Sequence, residues 1–125
     1  MGTPPLVIPL NFKMEPLSWT EFERVDMRVG TIQSAEPFPQ ARKPAYKLTI
    51  DFGPEVGIRR TSAQITHLYQ PDTLVGQQVV AVVNFPPKQI GPFMSECLVL
   101  GSVAPDKTVT LLTTTHPAEN GLRIG

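Results

Sequence analysis

The chain has one cysteine, one tryptophan and two histidines in 125 residues, and its eleven basic residues are cancelled by eleven acidic ones. A single cysteine excludes an intramolecular disulfide framework, and Cys97, set in an apolar strand candidate, reads as a small buried hydrophobe. No second cysteine or histidine lies near it in sequence to make it a redox thiol. His67 and His116 stand far apart, with no HExxH or CxxC spacing and no glycine-rich phosphate loop. Neither a metal site nor a catalytic constellation is therefore expected, and a binding protein is a better class than an enzyme. No stretch approaches the roughly twenty apolar residues of a membrane-spanning helix. The segment MGTPPLVIPLNF has no basic start and is broken by Pro4, Pro5 and Pro9, so neither a signal peptide nor membrane insertion is expected, and the expected compartment is the reducing cytoplasm. Zero net charge excludes the global basicity of a generic nucleic-acid coat.

What the chain does have is proline, fourteen of them, and short apolar blocks separated by Gly, Pro, Asn and Asp. At this length that pattern predicts one small all-β domain, a barrel or a sandwich. Charge is unevenly placed. Between Pro37 and Ser95 stand Arg42, Lys43, Lys47, Arg59, Arg60 and Lys88 against Asp51, Glu55 and Asp72, leaving five basic against eight acidic residues elsewhere. A local basic face is compatible with overall neutrality. The most shaped stretch runs from Asn84 to Leu100. The β-branched run Val79–Val83 stops at Asn84-Phe85-Pro86-Pro87, because proline cannot donate to a strand ladder. A loop carrying Lys88, Phe85 and Phe93 follows, with Gly91 and Pro92 to shape its turns.

Taken in order, residues 1–17 read as an extended arm whose prolines forbid helix and whose Leu6, Val7, Ile8 and Leu10 suit contact with the barrel or a second subunit, a disordered tail being the alternative. Residues 18–125 form the domain. Ser18 with Glu21 makes a capping box, Leu17 and Phe22 have staple spacing, and Trp19, Phe22 and Val25 fall on one face of a short helix expected to bury them. Strands are expected at Met27–Ala35, with Gly30 a bulge or close approach, and at Tyr46–Phe52, with Tyr46, Leu48, Ile50 and Phe52 inward. The next strand, Val56–Ser62, is expected to turn Ile58 inward with Arg59 and Thr61 opposite, and a local twist is expected to expose Arg60. A helical connection, Gln64–Tyr69 and Pro71–Val75 closed by Gly76, leads to strands Gln77–Val83, Glu96–Ser102 and Val109–Leu112.

Several ordered blocks carry a family resemblance: Asp26-Met27-Arg28-Val29-Gly30, Ala41 to Leu48, Ile50-Asp51-Phe52-Gly53, Ser62-Ala63-Gln64-Ile65-Thr66, Asn84-Phe85-Pro86-Pro87, and Ser95-Glu96 with Leu98-Val99-Leu100-Gly101. The chain resembles the tRNA-binding-domain superfamily, and within it the stand-alone CsaA group. Ser62-Ala63-Gln64 and Glu96-Cys97 depart from the synthetase-appended members toward that group. The resemblance implies a five-stranded OB-fold barrel with a short N-terminal helix and a helical connection between strands 3 and 4. It implies tRNA as partner, no cofactor, and a loop-and-strand RNA surface at Lys47, Ser62, Asn84, Lys88 and Ser95. Arg42, Lys43, Arg59 and Arg60 are the further cations available for phosphate contacts. It also implies chaperone activity toward unfolded or export-destined polypeptides, for which Phe38, Phe85, Phe93 and Met94 in exposed loops are the candidate groove, core packing being the alternative for these aromatics. A homodimer is implied too, with Trp19, Phe22 and Val25 at its interface. Docking onto an aminoacyl-tRNA synthetase is the alternative role.

Overall fold

The computed structural model describes residues 14–125, so most of the arm expected over residues 1–17 lies outside the described residues. Helix α1 (Trp19–Glu23) begins with the reciprocal cap its spacing predicts: the Ser18 hydroxyl accepts from the Glu21 amide at 3.1 Å, and the Ser18 amide donates to the Glu21 carboxylate at 3.0 Å. Strand β1 (Met27–Pro37) then pairs antiparallel with β4 (Gln78–Val82) through its first half and with β2 (Tyr46–Asp51) through its second. A bulge between Ile32 and Ser34 lets one strand serve both partners, because the extra residue bends and twists it. Strand β3 (Ile58–Ala63) adds to β2 and strand β7 (Leu98–Val99) to β4, giving the sheet order β3-β2-β1-β4-β7.

The two free edges of that sheet meet. The Glu96 amide donates to the Arg60 carbonyl at 2.8 Å, and the Thr61 hydroxyl donates to the Cys97 carbonyl at 2.7 Å. The result is a nearly closed, five-stranded OB-fold barrel. Two hairpins flank it, β5 (Lys88–Ile90) with β6 (Phe93–Ser95), and β8 (Gly101–Val103) with β9 (Val109–Leu111). A helical turn α2 (Gly53–Val56) joins β2 to β3. The connection from β3 to β4 is less helical than expected: only α3 (Pro71–Leu74) is a helix, and Thr66–Leu68 is a turn. Pro71 explains the break, since the residue before a proline is steered out of the helical region, and Gln70 is extended at φ −112°, ψ 148°.

Ile32, Leu48, Ile50, Phe52, Val79 and Ala81 fill the barrel, and α3 adds Leu74 to the same core. Each fully buried Ile, Leu or Phe contributes roughly 1.5–3 kcal/mol. Gly30 lies where a side chain has no room: a Cβ there would stand 2.6 Å from Ile50 Cγ2 and 2.7 Å from the Phe52 ring. The close approach expected at Gly30 is therefore present, and the bulge falls three residues later.

The inward face of β3 differs from expectation. Ile58 is 57% exposed, while Thr61 is buried at 1%. The register decides this, because Leu48 faces Thr61 and Ile50 faces Arg59 across the β2–β3 pair, and directly opposed residues share a face. Polar groups are tolerated inside because they are satisfied. The Thr61 hydroxyl also lies 2.9 Å from the Ser95 hydroxyl, and Arg59 Nη1 donates to the carbonyls of Val83 and Glu96, both at 3.2 Å. Arg60 is exposed with no local twist needed, since it occupies the outer phase.

The C-terminal segment straps the free edge of β1: Val29 donates to the Leu122 carbonyl at 3.0 Å, Gly121 to the Val29 carbonyl at 2.8 Å, and Ile124 to the Met27 carbonyl at 2.8 Å. Arg28 fastens the strap, with Nε on Asp26 at 2.6 Å and Nη1 on the Gly121 carbonyl at 3.0 Å. Hydrogen bonding from Arg28 holds the Asp26 carboxyl below its ordinary 3.8. A depressed carboxyl stabilises the fold fully above its unfolded value and loses that contribution as pH falls through the folded one. Asp26→Asn is thus expected to cost about 2 kcal/mol at neutral pH and to reduce the loss of stability on acidification below pH 3.8, read by urea denaturation across a pH series.

Candidate nucleic-acid interface

The β5–β6 hairpin does not stand free. Phe93 packs edge to face on Phe38 at 5.3 Å, and with Ala45 the two rings form a second small core that docks the hairpin on the β1–β2 connection. Phe38 and Phe93 are buried at 3% and 5%, so the expected exposed groove loses two of its three aromatics to packing. The hairpin's proline- and glycine-shaped turn explains the difference, because it folds Phe93 back toward the barrel as the strand returns. Phe85 and Met94, at 55% and 47% exposure, do face outward as expected.

Docking the hairpin creates a cleft of about 890 Å³ between it and the β1–β2 connection. Arg42 and Lys43 line one wall and Lys88 the other, with Ser62 and Gln64 of β3 and its exit between them. Among the described residues no carboxylate lines the cleft. Two more cations lie on the outer face behind Phe93. Lys47 Nζ is 5.4 Å from the Phe38 ring centre and 5.9 Å from that of Phe93, and the Arg60 guanidinium is 4.6 Å from the Phe93 centre. The rings hold these cations in place, each by about 0.5–1 kcal/mol, at a partly buried Lys47 and an exposed Arg60. Lys47 also pairs with Glu36 at 3.4 Å, which offsets part of its charge.

Beside the cleft opens a second cavity of about 550 Å³, lined mostly by apolar side chains from β3, the hairpin and β7–β8. Cys97 lies in its wall, and burial pushes the thiol up to about 11, leaving it protonated and unreactive at neutral pH.

Of the nine residues expected to touch RNA, Arg42, Lys43, Ser62 and Lys88 converge on the cleft, and Lys47 and Arg60 flank it. Three are committed elsewhere. Arg59 spends its guanidinium on two backbone carbonyls. The Ser95 hydroxyl bridges to Thr61, although the residue lines the second cavity. Asn84 ties α1 to β1, accepting from the Asp26 amide at 3.0 Å and donating to the Arg24 carbonyl at 2.7 Å. Gln64 and Leu98 are wall residues that sequence reasoning did not single out. Strand alternation past Cys97 was the available signal for Leu98.

The helix expected to bury Trp19, Phe22 and Val25 leaves them largely uncovered within the described residues of this chain. Trp19 is 79% exposed, Val25 is exposed, and only Phe22 is partly buried, with the Trp19 and Phe22 rings 6.5 Å apart. A helix of five residues is too short to present one continuous face to the barrel.

A nearly closed five-stranded barrel carrying a carboxylate-free basic cleft beside an apolar cavity defines an OB-fold ligand-binding protein. Residues 27–123 match the family described as "Putative tRNA binding domain". The chain belongs to that family, within the CsaA group. It is similar to the chaperone CsaA of Bacillus anthracis, with 48% identity and a TM-score of 0.84, covering 89% of this chain and all of that one. The CsaA chaperone protein of Picrophilus torridus is similar at 46% identity and a TM-score of 0.82, covering 88% of this chain and all of that one. A methionine–tRNA ligase of Salinibacter ruber is 38% identical over 105 residues, which is 84% of this chain and 14% of the ligase. The chain thus spans about 14% of the length of that curated relative.

Proposed function

We propose that this chain is a non-catalytic, cytoplasmic binding protein whose ligand is tRNA, held by its phosphates in the cleft between the β1–β2 connection and the β5–β6 hairpin. The observation that carries the reading is the convergence of Arg42, Lys43 and Lys88 on one carboxylate-free cleft in a chain of zero net charge. Phosphate contacts release counterions, so affinity for tRNA falls steeply with salt. Likeness to a methionine–tRNA ligase over most of this chain supports tRNA as partner. The test is a tRNA titration over a range of salt concentrations: a straight, steep decline of log affinity on log salt is expected, and a salt-insensitive complex overturns the reading.

A second role, binding unfolded polypeptides, is favoured by the outward-facing Phe85 and Met94 and by likeness to the CsaA chaperones. The bare Trp19 supports a homodimer through α1, which would double the basic cleft and let two weak sites hold one elongated RNA. Light scattering tests this: a dimer is expected, and Trp19→Asp is expected to give monomers.

A further inference from the structure

The basic cleft and the apolar cavity are not separate features, because Ser62, Gln64, Lys88 and Ile90 line both. On one side of that shared wall stand the cations, and on the other an apolar enclosure reached past Phe85 and Leu98, both about half exposed. We propose that the cavity receives one unpaired base of an RNA whose adjoining phosphate lies in the cleft, an inference that rests on the RNA reading above and deepens it.

Chemistry selects this occupant. An apolar amino-acid side chain would fill the cavity and leave three cations without a counter-charge. A phosphate alone, or a paired stretch whose bases are stacked inward, would use the cleft and leave the cavity empty. An unpaired nucleotide joins an anion, through a single sugar, to a flat ring with stacking faces and a hydrogen-bonding edge, which suits two compartments that share a wall. Phe85 offers the ring a stacking partner, and Ser62 and Gln64 offer its edge hydrogen-bonding groups. Aromatic stacking next to a basic track is how single-stranded RNA is held without dependence on one sequence. Lys88, common to both compartments, sets the register between base and phosphate. A chain with this arrangement prefers RNA with an open loop or end over a fully paired stem of equal charge.

The experiment compares two hairpins by fluorescence anisotropy, identical except that the loop of the second is abasic, so that phosphate number is constant. Wild type is expected to bind the intact loop about tenfold more tightly, the effect of roughly one stacked base. The double variant Phe85→Ala, Leu98→Ala, altered only at half-exposed positions, is expected to bind both hairpins alike, near the wild-type affinity for the abasic one. Lys43→Ala is expected to weaken both equally. Equal affinity of wild type for the two hairpins overturns the cavity inference and leaves the RNA reading standing. So does a loop preference that survives in the double variant. Failure to bind either hairpin overturns both readings. An apolar peptide that binds wild type but not the double variant, without any loop preference for RNA, assigns the cavity to polypeptides instead.

Discussion

Gly30→Val is expected to destabilise the chain by about 3 kcal/mol, the upper end for an overpacked core, and to yield little folded protein at physiological temperature. The position is crowded from one side by Ile50 and Phe52, two of the largest fully buried side chains, at 2.6 and 2.7 Å from where a Cβ would stand. Neither neighbour has a free direction in which to retreat. Both are on the barrel's inner face, and β1 itself is held on both edges, by β4 and by the C-terminal strap. Relief would have to come from prising β1 off β2 just before the bulge, which opens the barrel where its longest strand changes partner. Gly57→Ala is the informative contrast. Gly57 is at φ +84°, ψ −165°, a region that strains any side chain, but nothing lies within 4 Å of its added Cβ, so a smaller cost of about 2 kcal/mol, all of it backbone strain, is expected. Urea denaturation midpoints of the two variants give the comparison, and similar midpoints would show that β1 yields more easily than its packing implies.

The triple variant Arg42→Ala, Lys43→Ala, Lys88→Ala is expected to lose about a hundredfold in tRNA affinity at low salt and to flatten the plot of log affinity on log salt by about two to three. All three side chains are exposed and line one cleft, so their removal should leave the melting temperature nearly unchanged. Arg59→Ala is expected to behave in the opposite way. Its guanidinium closes carbonyls of Val83 and Glu96 at the seam of the barrel, so the variant loses stability while the salt slope of whatever protein remains folded is unaltered. Two cations one residue apart on β3, Arg59 and Arg60, thus have separate duties, and only measurements of both slope and stability distinguish them. A triple variant that kept the wild-type slope would move the phosphate site away from this cleft.

The capping box at Ser18 and Glu21 was legible because it depends on residues three apart, and so was the inward face of β2, where Tyr46, Leu48 and Ile50 alternate cleanly with polar residues. Strand β3 was not legible. Its sequence, Ile-Arg-Arg-Thr-Ser-Ala, has a single strong hydrophobe, and the natural inference is to bury it. The register with β2 instead turns Thr61 inward and leaves Ile58 outside. A buried hydroxyl is inexpensive only where a carbonyl waits for it, and the Cys97 carbonyl belongs to a segment 36 residues away. Phe38 and Phe93 likewise read as loop aromatics until the hairpin brings the two rings together.

The order of amino acids alone determined that the chain is β-rich and that its positive charge gathers in the middle of the chain. Those properties depend on composition and on neighbours in sequence. Which cations share a cleft, which are consumed in closing the barrel, and which aromatics remain outside was decided only by the tertiary structure. The reason is physical: Lys88 is far along the chain from the adjacent Arg42 and Lys43, and the three become one site because the Phe38–Phe93 contact fastens the hairpin beside the β1–β2 connection.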